Sequence, residues 1–306
     1  MISKDKAKIQ INIPTFANLV SKKSFKKGEL LTREDIADIR KIHFKDIELD
    51  LNFGIIYIFS YNWMKCVYFD HSPVLPENLK PTKSENLCKT EDLESLFASF
   101  YSYIMFPEVF RIEPEINEKI LMTGWFPFIR ILGWRFEEIY KYIKNNFTLN
   151  EGEMKVVESF DDEMIHNMMK SWMTKDIFKK HENIIRTGIE RYIEKDYISA
   201  IHILFPRIEG IMRYIYLGTT EKSSQNNLVD KLTDIAETNN PDSCLFLPNN
   251  FNEFLKKFYF NNFDLEKGDL DLSRNTIGHG VVRDEDLNRI KAFQAILILD
   301  QMFFYV

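Results

Sequence analysis

The stretch "DYISAIHILFPRIEGIMRYIY", residues 196–216, decides the fold class of this chain. It reads as one long apolar helix. Pro206 lies inside it, and a proline there removes one backbone hydrogen bond, so a kink is expected. Glu209 and Arg213 sit one helical turn apart on the same segment and can pair with each other.

The segments on either side also read as helices. Residues 161–195 suggest two or three, followed beyond the opening stretch by 227–237 and 249–260. The last segment, "DEDLNRIKAFQAILILDQMFFYV" (284–306), starts amphipathic and becomes apolar all round, which marks a central, buried helix. Upstream, "GWFPFIRILGWRFEEIYKYIKNNF" (124–147) suggests two short helices broken near Gly133. "TEDLESLFASFYSYI" (90–104) opens with Thr90 and acidic first-turn residues that suit the positive end of a helix dipole.

The first 90 residues have a different rhythm. "LTREDIADIRKI" (31–42) reads as a short helix, with Thr32 as N-cap and Asp35 in the capping-box position. "FGIIYIFSYNWMKCVYFD" (53–70) is rich in β-branched and aromatic residues around Tyr61-Asn62 and reads as a β-hairpin. Pro73, Pro76 and Pro81 then suggest an extended loop. The expected architecture is mainly α. A helical bundle occupies 151–306, and a smaller N-terminal α+β region containing the hairpin occupies 1–150.

Composition narrows the function. Hydrophobic residues make up 45% of the 306, with 26 Phe, which is ample material for a core. The net charge of −6 argues against a broad cationic surface made for duplex DNA, but leaves room for a local phosphate site. The basic stretches 21–29 and 175–186 read as solvated lysines. Cys66, Cys88 and Cys244 are far apart, with no CxxC, so neither a zinc knuckle nor a disulfide framework is expected. The chain starts without an apolar leader, and its longest apolar run, 295–299, is far short of a membrane span. A cytoplasmic chain with no membrane association is the expectation.

Chemistry concentrates in "SRNTIGHG" (273–280). Arginine offers a permanent planar charge with five donors, which matches a phosphate. Histidine takes and gives a proton near neutral pH. Together they suit RNA cleavage without a metal: a base removes the 2′-OH proton and a cation stabilises the charge that builds on phosphorus. On an ideal helix Arg274 and His279 would lie about 140° apart. A helix ending near 278, with Gly280 in a left-handed cap, would let them converge. The bare pair is equally what an ordinary helix end shows: Arg274 paired with a carboxylate, and His279 beside the last carbonyls. If Arg274 needs a buried carboxylate partner, Glu209 is the candidate.

With these residues in view, 190–306 resembles the HEPN superfamily of all-helical nucleotide-binding and RNase domains. The likeness rests on Arg274, Asn275 and His279, set as R-N-x3-H-G before a long apolar final helix, and on Pro206 and Glu209 in the earlier apolar helix. It implies a HEPN-like bundle and a metal-independent endoribonuclease with no cofactor and no metal. Arg274 would hold the scissile phosphate, His279 would act as general base or acid, and Asn275 would orient the pair or contact the phosphate. Glu209 and Arg213 would support them. It also implies a homodimer with two motifs in one cleft, single-stranded or tRNA-like RNA as substrate, and a toxin or antiviral defence role held by an antitoxin or regulatory protein. A non-catalytic module that binds a nucleotide, RNA or a protein is the alternative. Residues 1–150 resemble the front half of an uncharacterised bacterial family and carry no activity over.

The other candidates are weaker. His202 reads as a hydrogen-bonded core histidine. His43, His71, His166 and His181 lack partners at metal-ligand spacing. "DLEKGDLDL" (264–272) lacks the pattern of a calcium loop and reads as the lead-in to the motif helix. The aromatic segments 96–110 and 124–140 read mostly as core. No phosphate-binding glycine loop, dinucleotide fingerprint or nucleophile elbow is present in the sequence.

Overall fold

The structure is a computed structural model and describes residues 15–44, 53–60, 63–70, 90–216, 223–241, 243–266, 268 and 270–306. It is mainly helical, with a small β component at the N-terminal side. The helices are α1 Thr90–Met105, α2 Pro107–Phe110, α3 Pro114–Met122, α4 Trp134–Lys144 and α5 Leu149–Glu158. They continue as α6 Asp162–Trp172, α7 Asp176–Lys179, α8 Glu182–Ile193 and α9 Tyr197–Tyr216. The last four are α10 Gln225–Asn239, α11 Pro248–Phe254, α12 Arg274–His279 and α13 Arg289–Tyr305.

Local chemistry starts many of them. The side chains of Asp161, Ser224 and Asn288 accept from backbone N–H groups three residues on, at the heads of α6, α10 and α13. Each satisfies one donor that the first turn leaves open. Pro107, Pro114 and Pro248 stand in the first turn, where a missing N–H costs nothing. The segment expected to give two short helices around Gly133 gives α4 and, before it, a single 3-10 turn, Ile129–Ile131. Gly133 has φ 101°, a conformation that a side chain rarely adopts.

The strands are β1 Thr15–Ser21, β2 Ile36–Phe44, β3 Phe53–Ser60 and β4 Trp63–Asp70. β3 and β4 form the expected antiparallel hairpin, in register from Phe53↔Asp70 to Ser60↔Trp63. Its turn, 61–62, and the proline-containing stretch 71–89 lie outside the described residues. The helix expected over 31–42 is corrected. The Thr32–Asp35 capping box does form, but it heads only the 3-10 turn Arg33–Asp35, and the chain then extends into β2.

β2 pairs antiparallel with β1, and the register slips twice. Leu19 and Asn18 oppose Ile39 and Lys41, while Ser21 and Val20 oppose Ile36 and Asp38. Arg40 and Ala37 are therefore the extra residues of two bulges. Each bulge adds one residue to the two-residue alternation of a strand. Ile36, Ile39 and Ile42, spaced by three like a helical stripe, thus reach one buried cluster with Ala98, Phe106, Leu132 and Leu245.

The main core is a single cluster running from Ala37 to Tyr305. α13 is its axis and is buried on nearly every side, as expected for the last helix. Phe126 and Phe128, from the segment before α4, pack tilted or edge-on against Phe251 and Phe254 of α11. The regions 1–150 and 151–306 therefore share one core. A polar node ties them together. Asp300, 1% exposed on α13, accepts both ends of the Arg130 guanidinium at 2.9 Å and the Trp172 indole N–H at 2.8 Å. Arg130 also donates to the Lys22 carbonyl at 2.7 Å.

Candidate active site around Arg274 and His279

α12 is a six-residue helix headed by Ser273, whose hydroxyl accepts from the Thr276 N–H while Thr276 reaches back to the Ser273 N–H. It ends at His279. Gly280 adopts φ 68° and ψ 30°, the left-handed cap expected for it. The turn is rigidly founded: Ser273, Asn275, Thr276 and Ile277 are buried, whereas Gly278 and His279 are exposed.

Arg274 runs along the helix toward its end. One terminal nitrogen lies 2.8 Å from where a Cβ on Gly278 would stand, so the missing side chain gives the guanidinium its channel. This places its charge beside the residue preceding His279. Arg274 Nε pairs with Glu209 Oε2, as the sequence suggested. Arg213 Nε donates to the other oxygen, Oε1, at 2.7 Å, and Arg213 Nη1 donates to the Ser223 hydroxyl at 2.8 Å. Glu209 is 3% exposed on the inner face of α9, but the side chains of Arg213 and Arg274 are 47% and 33% exposed. One enclosed carboxylate thus holds two guanidiniums that reach solvent, an excess of positive charge fitted to an incoming anion.

Glu209 is placed by a break in α9. The Tyr259 hydroxyl donates to the Phe205 carbonyl at 2.6 Å and accepts from the Glu209 N–H at 3.0 Å. In an unbroken helix those two backbone groups would bond to each other. The hydroxyl is inserted into the ladder just after Pro206, where the helix already lacks a donor. Burial pushes the Tyr259 phenol well above its usual range, so the hydroxyl keeps its proton and its bond. Tyr259 itself comes from a five-residue π-helical stretch, Leu255–Tyr259, which continues α11.

Asn275 is not brought to the arginine and histidine. Its amide N–H groups donate to the Phe260 and Asn261 carbonyls at 3.1 and 3.2 Å, and its oxygen accepts from Gln225 Nε2 at 2.9 Å. That consumes its donors and its acceptor, so it clamps the motif turn to the end of the π-helical stretch and to α10. Its side chain thus anchors the turn that carries Arg274 and His279. His279 packs its ring against Phe263 with centroids 5.2 Å apart.

Other sequence readings resolve as follows. His202 lies on the exposed face of α9, bonded to the Ile198 carbonyl at 2.8 Å, and is no core histidine. Trp125, Phe126, Phe128 and Phe136 are core, but Trp134 is partly exposed. Among the described residues no three His, Cys, Asp or Glu side chains gather at metal-binding distance, and no helix is long and apolar enough to cross a membrane. The sequence reading missed Tyr259. Its only signal was a tyrosine on an apolar segment facing a proline-broken helix.

No family model, curated protein or solved structure matches the chain. The class that fold and site define is therefore chemical: a mainly helical protein that presents two guanidiniums around one buried carboxylate, one of them from a short helix that ends at an exposed histidine.

Proposed function

We propose that the chain is a metal-independent endoribonuclease of the HEPN type. The observation that carries this is the Arg274 guanidinium, anchored through Nε on Glu209 and laid against Gly278, the residue before the exposed His279. Arg274 binds a non-bridging oxygen of the scissile phosphate and stabilises the charge that builds in the transition state. Neutral His279 takes the 2′-OH proton, the 2′-oxygen bonds to phosphorus, and the bond to the 5′-oxygen breaks. An imidazolium returns a proton to that oxygen. The products are a 2′,3′-cyclic phosphate and a 5′-hydroxyl. A two-fold dimer supplies a second motif, so base and acid come from different copies. Defence or toxin action, restrained by a regulatory protein, is the biological setting this chemistry suits.

The test is incubation of the purified chain with single-stranded RNA and tRNA in excess chelator. Cleavage to cyclic phosphate ends is expected. His279→Ala should lower it by about 10²–10⁴-fold, the usual worth of general acid–base catalysis. Cleavage by His279→Ala at the wild-type rate removes this reading.

One observation favours a second reading. Arg274 is already paired with Glu209, and Asn275 is spent on the fold, so the site also suits holding a nucleotide or RNA phosphate, or a protein partner's acidic group, without cutting. That reading predicts RNA binding weakened by Arg274→Ala and no products.

A further inference from the structure

A second cluster of cations stands where β1 and the 3-10 turn 33–35 meet α4 and α6. A cavity of about 650 Å3 opens there. Lys22, Lys23, Arg130, Arg135 and Lys170 line it, faced by Glu34 and Asp35. Phe160, Met164 and Met168 give the remaining wall an apolar patch, beside the polar Ser24, Asn167 and Ser171. None of these residues belongs to the Arg274–His279 site.

We propose that this cavity binds a small organic phosphate with a flat or alkyl body, about the size of a nucleoside monophosphate. The volume lies within the usual range for small-ligand sites, and the combination of an apolar wall with a few convergent charges is typical of them.

Counter-charge is what the cavity lacks. Asp300 neutralises Arg130 from behind, through two bonds of 2.9 Å. Lys23 is held by Asp35 at 3.1 Å and Glu29 at 3.5 Å. Arg135 spends its Nε on the Ser159 hydroxyl at 2.7 Å, and the Lys22 ammonium bonds the buried Leu132 carbonyl at 3.0 Å. Among the described residues, Lys22, Arg135 and Lys170 form no ion pair; set against Glu34, Asp35, Glu29 and Asp300, the five cations of the cluster leave a positive excess. A phosphomonoester supplies the missing negative charge. Separate lysine point charges beside one guanidinium suit a phosphate, whose oxygens diverge, better than a planar carboxylate.

The cluster is strained in the direction that a ligand would relieve. Burial, then the neighbouring Arg130 guanidinium, pulls the Lys22 amine down to about 7, with Glu34 and Asp300 opposing and Arg135 adding. Burial likewise lowers Arg135. A bound dianion favours the charged amine, so binding takes up a proton. Affinity for the dianion declines as the pH rises through about 7, and it also falls below about pH 6, where the phosphate takes up its own proton.

Titration calorimetry on the full chain, with AMP, phenyl phosphate, adenosine and inorganic phosphate, tests this. AMP or phenyl phosphate should bind at pH 6.5, at least tenfold tighter than inorganic phosphate, with adenosine silent. Affinity should fall between pH 6.5 and 8.5, and heats in buffers of different ionisation enthalpy should report proton uptake. Lys22→Met and Arg135→Gln should each weaken binding at least tenfold, and His279→Ala should leave it unchanged. Lys22→Met should also melt higher than wild type at pH 6, because it removes a poorly solvated cation. That advantage should shrink as the pH rises from about 7 toward 10.5, where the wild-type amine is neutral when folded. Silence of both organic phosphates at millimolar concentration overturns the proposal. So does binding that ignores both substitutions, or inorganic phosphate binding as tightly as AMP.

Discussion

Burial separates the three charges at the candidate site, and it sets which substitutions hurt. Glu209 is enclosed, whereas Arg213 and Arg274 keep a third to a half of their side chains in water. Removing the carboxylate frees two guanidiniums that can rehydrate, so Glu209→Gln should cost only about 1 kcal/mol. Removing both arginines strands a buried anion, so the double variant Arg213→Met/Arg274→Met should cost about 3–5 kcal/mol in urea titration. Equal costs would mean that the carboxylate is not the buried partner. Gly278 offers a sharper separation of stability from function. Its φ is not in the left-handed region, so Gly278→Ala should stabilise α12 by up to about 1 kcal/mol. Yet the new Cβ would sit 2.8 Å from the Arg274 terminal nitrogen and push that flexible end aside. The expected result is a melting temperature unchanged or raised, together with RNA cleavage or binding clearly reduced. A variant that keeps full activity would show that the guanidinium's place along the helix does not matter.

The helix carrying Glu209 stores its positioning in one hydroxyl. Tyr259→Phe leaves the Phe205 carbonyl and the Glu209 N–H, both buried, without the group that joins them. The expected loss is about 1–3 kcal/mol. Pro206→Ala should shrink that loss, since a ladder without the proline can close on itself. A double-mutant cycle measures the coupling, and additive losses would argue that the proline and the hydroxyl act separately. This device was half legible beforehand. Pro206 announces a break, but a tyrosine about 50 residues on does not announce that it fills it. The β2 segment teaches the converse. Its capping box was real and was read correctly, but it heads one turn only. The spacing of three between its buried isoleucines is accommodated in a strand by two bulges, and bulges depend on a partner strand that local sequence does not reveal. The β3–β4 hairpin and the helices between 161 and 195 were legible because their pairing is local and their periods are clean.

The same limit applies to the molecule as a whole. The lysines of 21–29 read as a solvated basic run, yet the Lys22 ammonium reaches the buried Leu132 carbonyl, and its own carbonyl holds Arg130. Asp300 and Gln301 end the apolar run of the last helix, and their burial was the available sign of long-range partners. Gln301 accepts from the Ile129 N–H at 2.9 Å and donates to the Phe246 carbonyl at 3.1 Å, while Asp300 takes Arg130. Through these bonds the last helix is built into the region before residue 150. A chain truncated to 151–306 would therefore lose more than a neighbour. It would keep Asp300 as a buried carboxylate with only Trp172 to bond it, and would bare Phe251 and Phe254 where Phe126 and Phe128 now pack. Unpairing the carboxylate alone is worth about 3–5 kcal/mol, a large share of the 5–15 kcal/mol that typically holds a domain together. The truncated chain is expected to lack a cooperative thermal transition, while the full chain melts in one, as followed by calorimetry and near-ultraviolet circular dichroism. Asp300→Ala in the full chain should lower that single transition without splitting it. A sharp, independent melt of 151–306 would instead show that the bundle carrying Arg274 and His279 stands alone.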